Sequence, residues 1–118
     1  MPPPLLARTP LDALEVALPA DVTLHMRPAA LIVRIVQRHG TPVEVEVEGD
    51  AFNAASILQL LVAVHAHPYA RRLRFRGGAR PLEDLRLLFE SGLGEGGLDR
   101  LPPSLSYLRE RETLRRPA

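Results

Sequence analysis

The stretch from Leu24 to Ala30 holds the residues best suited to chemistry, in the order Leu-His-Met-Arg-Pro-Ala-Ala. It places His25 directly before a predicted helix, and Pro28 suits a first helical turn because a missing N–H costs little there. The first turn also offers free N–H groups and about half a unit of positive charge, which favour an anion. A protonated imidazole is disfavoured beside that charge, so we expect a neutral His25, whose lone pair can attack phosphorus.

Arg27 follows the histidine by two residues and supplies a guanidinium that can bind phosphate oxygens in a fork. A phosphoryl group on His25 would then be held by both the helix terminus and Arg27. The residue types alone leave an alternative open, since a histidine near a helix start is commonly a cap or a surface residue.

The elements that must position this stretch are predicted from hydrophobic spacing. Alternating apolar residues predict a strand over Leu14–Leu18. Residues 28–38 are rich in β-branched side chains, which favours a strand, but the proline start and the stop at Gly40 decide for a helix. Val43, Val45 and Val47 alternate with glutamates in a half-buried strand pattern.

The remaining pattern completes an α/β (α+β) domain. It predicts a short strand at 51–53, a helix at 54–64, a strand at 71–76 and a helix at 81–91. The order β-α-β-β-α-β-α predicts an open-faced two-layer sandwich, a four-stranded antiparallel sheet with three helices on one face. We assign residues 1–11 to an N-terminal arm, 12–95 to the domain, and the Arg/Glu-rich 96–118 to a tail that is an exposed helix or disordered.

The motif around His25 resembles the phosphorylation site of the HPr phosphocarriers of the bacterial sugar phosphotransferase system. The element order and the segment 55–60 are also similar to that family. The resemblance implies that His25 accepts a phosphoryl group on Nδ1 from phospho-enzyme I and passes it to a histidine of a IIA component. It implies that Arg27 clamps the phosphate, that the backbone N–H groups of Met26 and Arg27 contact it, and that the protein is a carrier without a cofactor, not an enzyme.

The same resemblance predicts a partner-docking surface. Ala30, Ile57, Leu58 and Leu61 match an apolar patch that contacts enzyme I and IIA proteins, and Arg34 is expected to add positive charge at its rim. An exposed apolar patch beside a reactive residue is a plausible interface. The alternative for Ile57 and Leu61 is that both side chains simply join the core.

Ser56 matches the serine that a kinase phosphorylates in some members of the family. A phosphate there would add negative charge to the docking surface and weaken binding of enzyme I. The competing interpretation is that Ser56 caps the second helix.

Composition excludes several other classes. The 118 residues contain no cysteine, which excludes disulfides and thiolate chemistry, and the net charge of +1 gives no bulk attraction to nucleic acid. The sequence shows neither a membrane span nor a secretory leader, so we expect a cytoplasmic monomer without a metal. His65 and His67 lack partners for a metal site.

Two other functions remain open as hypotheses. The first is a regulatory module on the same fold, whose phosphorylation signals to a transcription factor or kinase. The second is RNA binding through the arginines of strand 71–76, although its one aromatic residue, Phe75, is in the inward phase and RNA-binding sheets stack bases on exposed aromatics.

Overall fold

The computed structural model describes residues 12–19 and 24–109. Their elements follow the predicted order: β1 (Asp12–Ala17), α1 (Met26–His39), β2 (Val43–Val47), β3 (Asp50–Asn53), α2 (Ile57–Ala66), β4 (Arg72–Gly77) and α3 (Ala79–Glu90). Two 3-10 segments come next, Leu98–Arg100 and Pro103–Arg109. Within the described ranges, none of the helices has the length and apolar character that crossing a bilayer requires.

The four strands form one antiparallel sheet in the order β1-β4-β2-β3. Side chains alternate across β2 and β4, so that Val45 and Phe75 are fully buried under the helices. Phe75 meets Phe89 of α3 edge to face, with ring centroids 5.8 Å apart. The open-faced sandwich with helices on one face is therefore confirmed.

The opposite face of the sheet carries charges. The strand register sets Arg74 of β4 between Glu46 of β2 and Glu15 of β1, and Arg76 opposite Glu44. Glu15 forms ion pairs with Arg72 at 3.7 Å and with Arg74 at 3.9 Å. The arginines of β4 are thus opposed by carboxylates, as cross-strand charge pairing predicts.

Helix α1 confirms the choice of helix over strand. It begins at Met26, two residues before the predicted start at Pro28, and it ends where Gly40 takes a left-handed conformation with φ 70° and donates its N–H to the Val36 carbonyl. The β-branched Ile32 and Ile35 are fully buried, so packing outweighs their weaker helix propensity.

Helix α2 begins at Ile57, later than the predicted residue 54. Ala54 instead donates its N–H to the Val43 carbonyl, which extends the sheet contact of β3 by one residue. Ser56 is the N-cap, and its hydroxyl accepts a hydrogen bond from the Gln59 N–H at 3.1 Å. The capping interpretation of Ser56 is therefore realised, and capping does not exclude its modification.

The prediction of an exposed or disordered tail over 96–118 is wrong for residues 98–109. Leu101, Leu105 and Leu108 are buried in the same core as the helices. The Arg/Glu-rich composition that suggested exposure belongs mainly to residues from 109 onward, whereas these three leucines share one side of the 3-10 segments. Residues 1–11 and 110–118, and with them the predicted arm and the end of the tail, lie outside the described residues.

Polar contacts fasten this C-terminal segment to the helices. The Arg34 guanidinium donates to the carbonyl oxygens of Leu108 at 2.8 Å and Tyr107 at 2.9 Å. The Tyr107 hydroxyl donates to Asp84 of α3 at 2.7 Å, and the Arg38 guanidinium lies 4.2 Å from the centre of the Tyr107 ring. The segment is therefore an integral part of the domain.

His67, the C-cap of α2, joins that helix to the turn between β2 and β3. Its Nδ1 lies 2.9 Å from Glu48 Oε1 and its Nε2 lies 2.7 Å from Asp50 Oδ2. Ionised carboxylates only accept hydrogen bonds, so both ring nitrogens donate and the imidazolium form is favoured. The bonds to Asp50 and then Glu48 accordingly raise the pKa of His67 above its usual 6.5.

This contact predicts a pH-dependent stability. Because the pKa is raised in the folded state, the contribution of His67 is fully present below the unfolded value of about 6.5 and is lost as the pH rises through the folded value. We expect the urea midpoint of the wild type to fall over that range, and the His67→Gln variant to lose this part of the pH dependence. His65→Gln, a change at an exposed neighbour, is the control. Parallel pH profiles for wild type and His67→Gln would contradict the prediction.

Candidate functional site

His25 is the N-cap of α1. Its backbone is extended, with φ −99° and ψ −165°, and its side chain makes no capping hydrogen bond. The side chain is 53% exposed. The imidazole therefore stands at the start of the helix without closing it, and it is open to an approaching group.

Two backbone donors at the helix start have no acceptor in the part of the chain that the structure places. The Ala29 N–H donates to the His25 carbonyl at 3.0 Å, and Pro28 has no N–H. Within the described residues, the N–H groups of Met26 and Arg27 are thus left without an acceptor, and the first turn contains no acidic side chain. Two free donors at the positive end of a helix form a site for an anion, directly beside His25.

Arg27 is exposed in the same turn. Its guanidinium makes no hydrogen bond or ion pair with the part of the chain that the structure describes. A cation that is not engaged by a carboxylate is available to bind phosphate oxygens. The residues that the sequence analysis assigned to phosphate binding, Met26 and Arg27, therefore lie together with His25 at one helix terminus.

Glu95 is a residue of this site that the sequence analysis missed. Its Oε2 lies 3.6 Å from His25 Nε2, and its side chain is 35% exposed. No hydrogen bond or ion pair to Nδ1 is found among residues 12–19 and 24–109. The ring thus turns one nitrogen toward a carboxylate and leaves the other open.

A glycine-rich loop places Glu95 beside His25. Between α3 and the first 3-10 segment, Gly92, Leu93, Gly94 and Gly97 all have positive φ. A Cβ atom on Gly94 would come within 2.8 Å of Leu31 Cδ1, so glycine allows the loop to pack closely on α1. In the sequence these glycines predict only the end of a helix. The one signal for a site residue here is the charged Glu95 between them.

The predicted docking residues lie mostly on α2. Leu58 is 69% exposed and Val62, one turn later, is half exposed, so the two form an apolar strip along α2; Met26, at the start of α1, is also exposed. Ile57, Leu61 and Ala30 are half-buried. Ile57 and Leu61 pack against the core with part of each side chain accessible, which is intermediate between the two interpretations.

Helices α1 and α2 lie antiparallel in space. Gln37, near the end of α1, donates to the Ala55 carbonyl just before α2, and Leu24, just before α1, lines a small cavity with Val64 and His67 from the end of α2. Gln37 lies about 16 Å from Met26 along the α1 axis, and Ser56 directly follows Ala55, the residue that Gln37 contacts. A modification of Ser56 would act on the apolar strip more than on His25 itself.

Arg34 is half-buried, and its guanidinium binds the carbonyls of Tyr107 and Leu108. Its contribution to a docking rim stays a prediction. Among the residues that the structure places, no group of three or more His, Cys, Asp or Glu side chains is arranged to hold a metal ion.

Comparison with known proteins agrees with this geometry. Residues 14–67 match a family model described as the PTS HPr component phosphorylation site. Curated protein sequences include no match.

Two solved structures resemble the chain. HPr-C-His from Thermoanaerobacter tengcongensis is 24% identical, and the alignment covers 71% of this chain and 97% of that one with a TM-score of 0.61, a likeness of fold. The phosphocarrier protein HPr from Bacillus anthracis str. Ames is 25% identical over 68% of this chain and 94% of that one, with a TM-score of 0.54. The phosphorylation-site match and the fold of the two solved structures together support an HPr family protein.

Proposed function

We propose that the protein is a cytoplasmic phosphocarrier that takes a phosphoryl group on His25 from phospho-enzyme I and passes it to IIA components of the sugar phosphotransferase system. The observation that carries the proposal is the exposed His25 imidazole, whose Nδ1, like the N–H groups of Met26 and Arg27 beside it, has no partner among residues 12–19 and 24–109. The match of residues 14–67 to the HPr phosphorylation-site model supports the general role.

The reaction at His25 is a reversible transfer. The Nδ1 lone pair forms a bond to phosphorus while the bond from phosphorus to the donor histidine of enzyme I breaks, and that electron pair returns to the donor nitrogen. The phosphoryl oxygens then lie within reach of the helix terminus and Arg27, which stabilise their charge. Transfer to IIA repeats the same step with His25 as the donor.

The protein acts in this proposal as a carrier and not as an enzyme. It supplies the nucleophile and the anion site, and its partners supply most of the positioning and charge stabilisation on which phosphoryl transfer depends. No cofactor takes part in the step, and a monomer presents the whole site.

Partner binding is assigned to the strip formed by Leu58 and Val62, together with the exposed Met26 and the accessible parts of Ile57 and Leu61. Enzyme I and IIA proteins would cover this apolar surface and bring a histidine to His25. Phosphorylation of Ser56 by a kinase would place charge at the far end of the strip and weaken docking.

The test is incubation of the protein with phosphoenolpyruvate and enzyme I. The proposal expects a phosphate that is labile in acid and stable in base, located on His25 by mass spectrometry, and its transfer to an added IIA protein. Phosphorylation without onward transfer would favour the regulatory module instead. Absence of phosphate on His25 would contradict the proposed function.

Arg27 provides a second, quantitative prediction. Because a charge-assisted hydrogen bond contributes about 1.5–3 kcal/mol, Arg27→Ala should slow phosphorylation by enzyme I by about 10- to 100-fold at subsaturating concentrations. Arg80→Ala is the matched control, since Arg80 is likewise exposed and is the second residue of its helix. Equal rates for the two variants, measured with labelled phosphoenolpyruvate, would show that Arg27 does not clamp the phosphate.

A further inference from the structure

We infer that Glu95 is a positioning residue for His25, which holds the proton of the neutral imidazole on Nε2 and so presents the Nδ1 lone pair to the incoming phosphorus. The inference rests on the proposed function and adds to it a residue of the C-terminal loop. The starting observation is the distance of 3.6 Å between Glu95 Oε2 and His25 Nε2.

The loop holds the Glu95 backbone in place. The Glu95 N–H donates to the Gly92 carbonyl at 3.0 Å. Leu93, two residues before Glu95, is fully buried although its φ is +58°, a conformation that few leucines adopt. Gly94 lies against Leu31 of α1, where a Cβ would be too close. The burial of Leu93 and the close packing of Gly94 on α1 fix the loop backbone. The fold itself therefore places the Glu95 carboxylate beside His25.

The carboxylate selects between two tautomers. A neutral imidazole carries its proton on one nitrogen and its lone pair on the other. An ionised carboxylate accepts hydrogen bonds and cannot donate, so it favours the form with the proton on Nε2. The lone pair is then on Nδ1, the nitrogen with no partner among the described residues.

The same carboxylate assists the transfer itself. When the Nδ1–P bond forms, the proton remains on Nε2 and the ring becomes a cation, while the donor nitrogen takes the electron pair of the broken bond. Glu95 stabilises that positive charge from the Nε2 side. The helix terminus and Arg27 stabilise the negative phosphoryl oxygens on the Nδ1 side. The two charges of the intermediate therefore each have a counter-charge, and the phosphoryl group stays transferable.

The experiment compares the wild type with Glu95→Gln and with Asp99→Asn, a matched control in which an exposed carboxylate of the following segment is also replaced by an amide. The first readout is the tautomer ratio of His25 in the unphosphorylated protein, from side-chain nitrogen chemical shifts at a pH where the ring is neutral. Since the pair is partly exposed, we expect the Nε2–H to Nδ1–H ratio to fall by about two- to fivefold in Glu95→Gln. Asp99→Asn should retain the wild-type ratio.

The second readout is the hydrolysis rate of phosphorylated His25. A phosphoimidazole loses its phosphate faster as the cation, so Glu95→Gln should slow hydrolysis by about two- to fivefold relative to the wild type and to Asp99→Asn. An unchanged tautomer ratio, or an equal change in Asp99→Asn, overturns the inference. If enzyme I fails to phosphorylate His25, the proposed function fails, while the tautomer ratio still decides the role of Glu95.

Discussion

The His25→Ala variant should take up no acid-labile phosphate from phosphoenolpyruvate and enzyme I, whereas the wild type should be phosphorylated. The reason is chemical: the His25 imidazole is the nucleophile of the proposed transfer, and it stands at the start of α1 beside the N–H groups of Met26 and Arg27. The His25 side chain is half exposed and does not cap α1. Its removal should therefore change the free energy of unfolding, measured in urea, by less than about 0.5 kcal/mol.

His65→Ala is the control for this loss. His65 is an exposed histidine on α2, and its replacement removes the same functional group elsewhere on the molecule. It should be phosphorylated at the wild-type rate. If His25→Ala keeps the phosphate label and His65→Ala loses it, the acceptor is His65 and the assignment to His25 is wrong.

The sequence predicts the positions of His25, Met26 and Arg27 at a helix start because that arrangement is local. His25, Met26 and Arg27 are neighbours in the chain, and a helix that starts beside them brings its free N–H groups automatically. The proline and glycine that bound α1 were readable signals, and they outweighed the β-branched residues between them, which the structure buries.

Glu95 could not be predicted in the same way. It is 70 positions from His25 in the chain, and it reaches the imidazole only through a loop with positive φ at Gly92, Leu93 and Gly94. Glycines in a sequence indicate where a helix stops, but they do not reveal the path that the chain takes afterwards. The leucine with positive φ depends on burial, which is a property of the tertiary structure.

The composition of the C-terminal segment also leads to a wrong prediction, that of an exposed or disordered tail, for a related reason. Pro102-Pro103 and the charged residues after Tyr107 resemble a disordered tail in composition. Leu101, Leu105 and Leu108 recur at intervals of four and three residues, which is a helix-like period that proline interrupts. Burial of these leucines and the contacts of Arg34 with the segment decide the outcome, and neither is visible in local composition.

Replacement of Leu105 by alanine should therefore destabilise the whole domain. Its side chain is fully buried, and removing a buried leucine costs about 2–5 kcal/mol, through lost burial and the cavity left behind. That is a large fraction of the roughly 5–15 kcal/mol by which a domain is usually stable. Urea unfolding followed by circular dichroism measures the loss, and Ser104→Ala, a change at the exposed preceding residue, should shift stability by less than about 0.5 kcal/mol.

The Leu105 experiment also decides how the site depends on this segment. Leu98, at the start of the first 3-10 segment, lies against Gly94, so the loop that carries Glu95 is continuous with the packing that Leu105 anchors. A detached tail would make Leu105→Ala and Ser104→Ala equally stable, and residues 98–109 would then be dispensable. A cooperative loss of stability in Leu105→Ala but not in Ser104→Ala would show that the segment after α3 is part of the folding unit to which the Glu95 loop belongs.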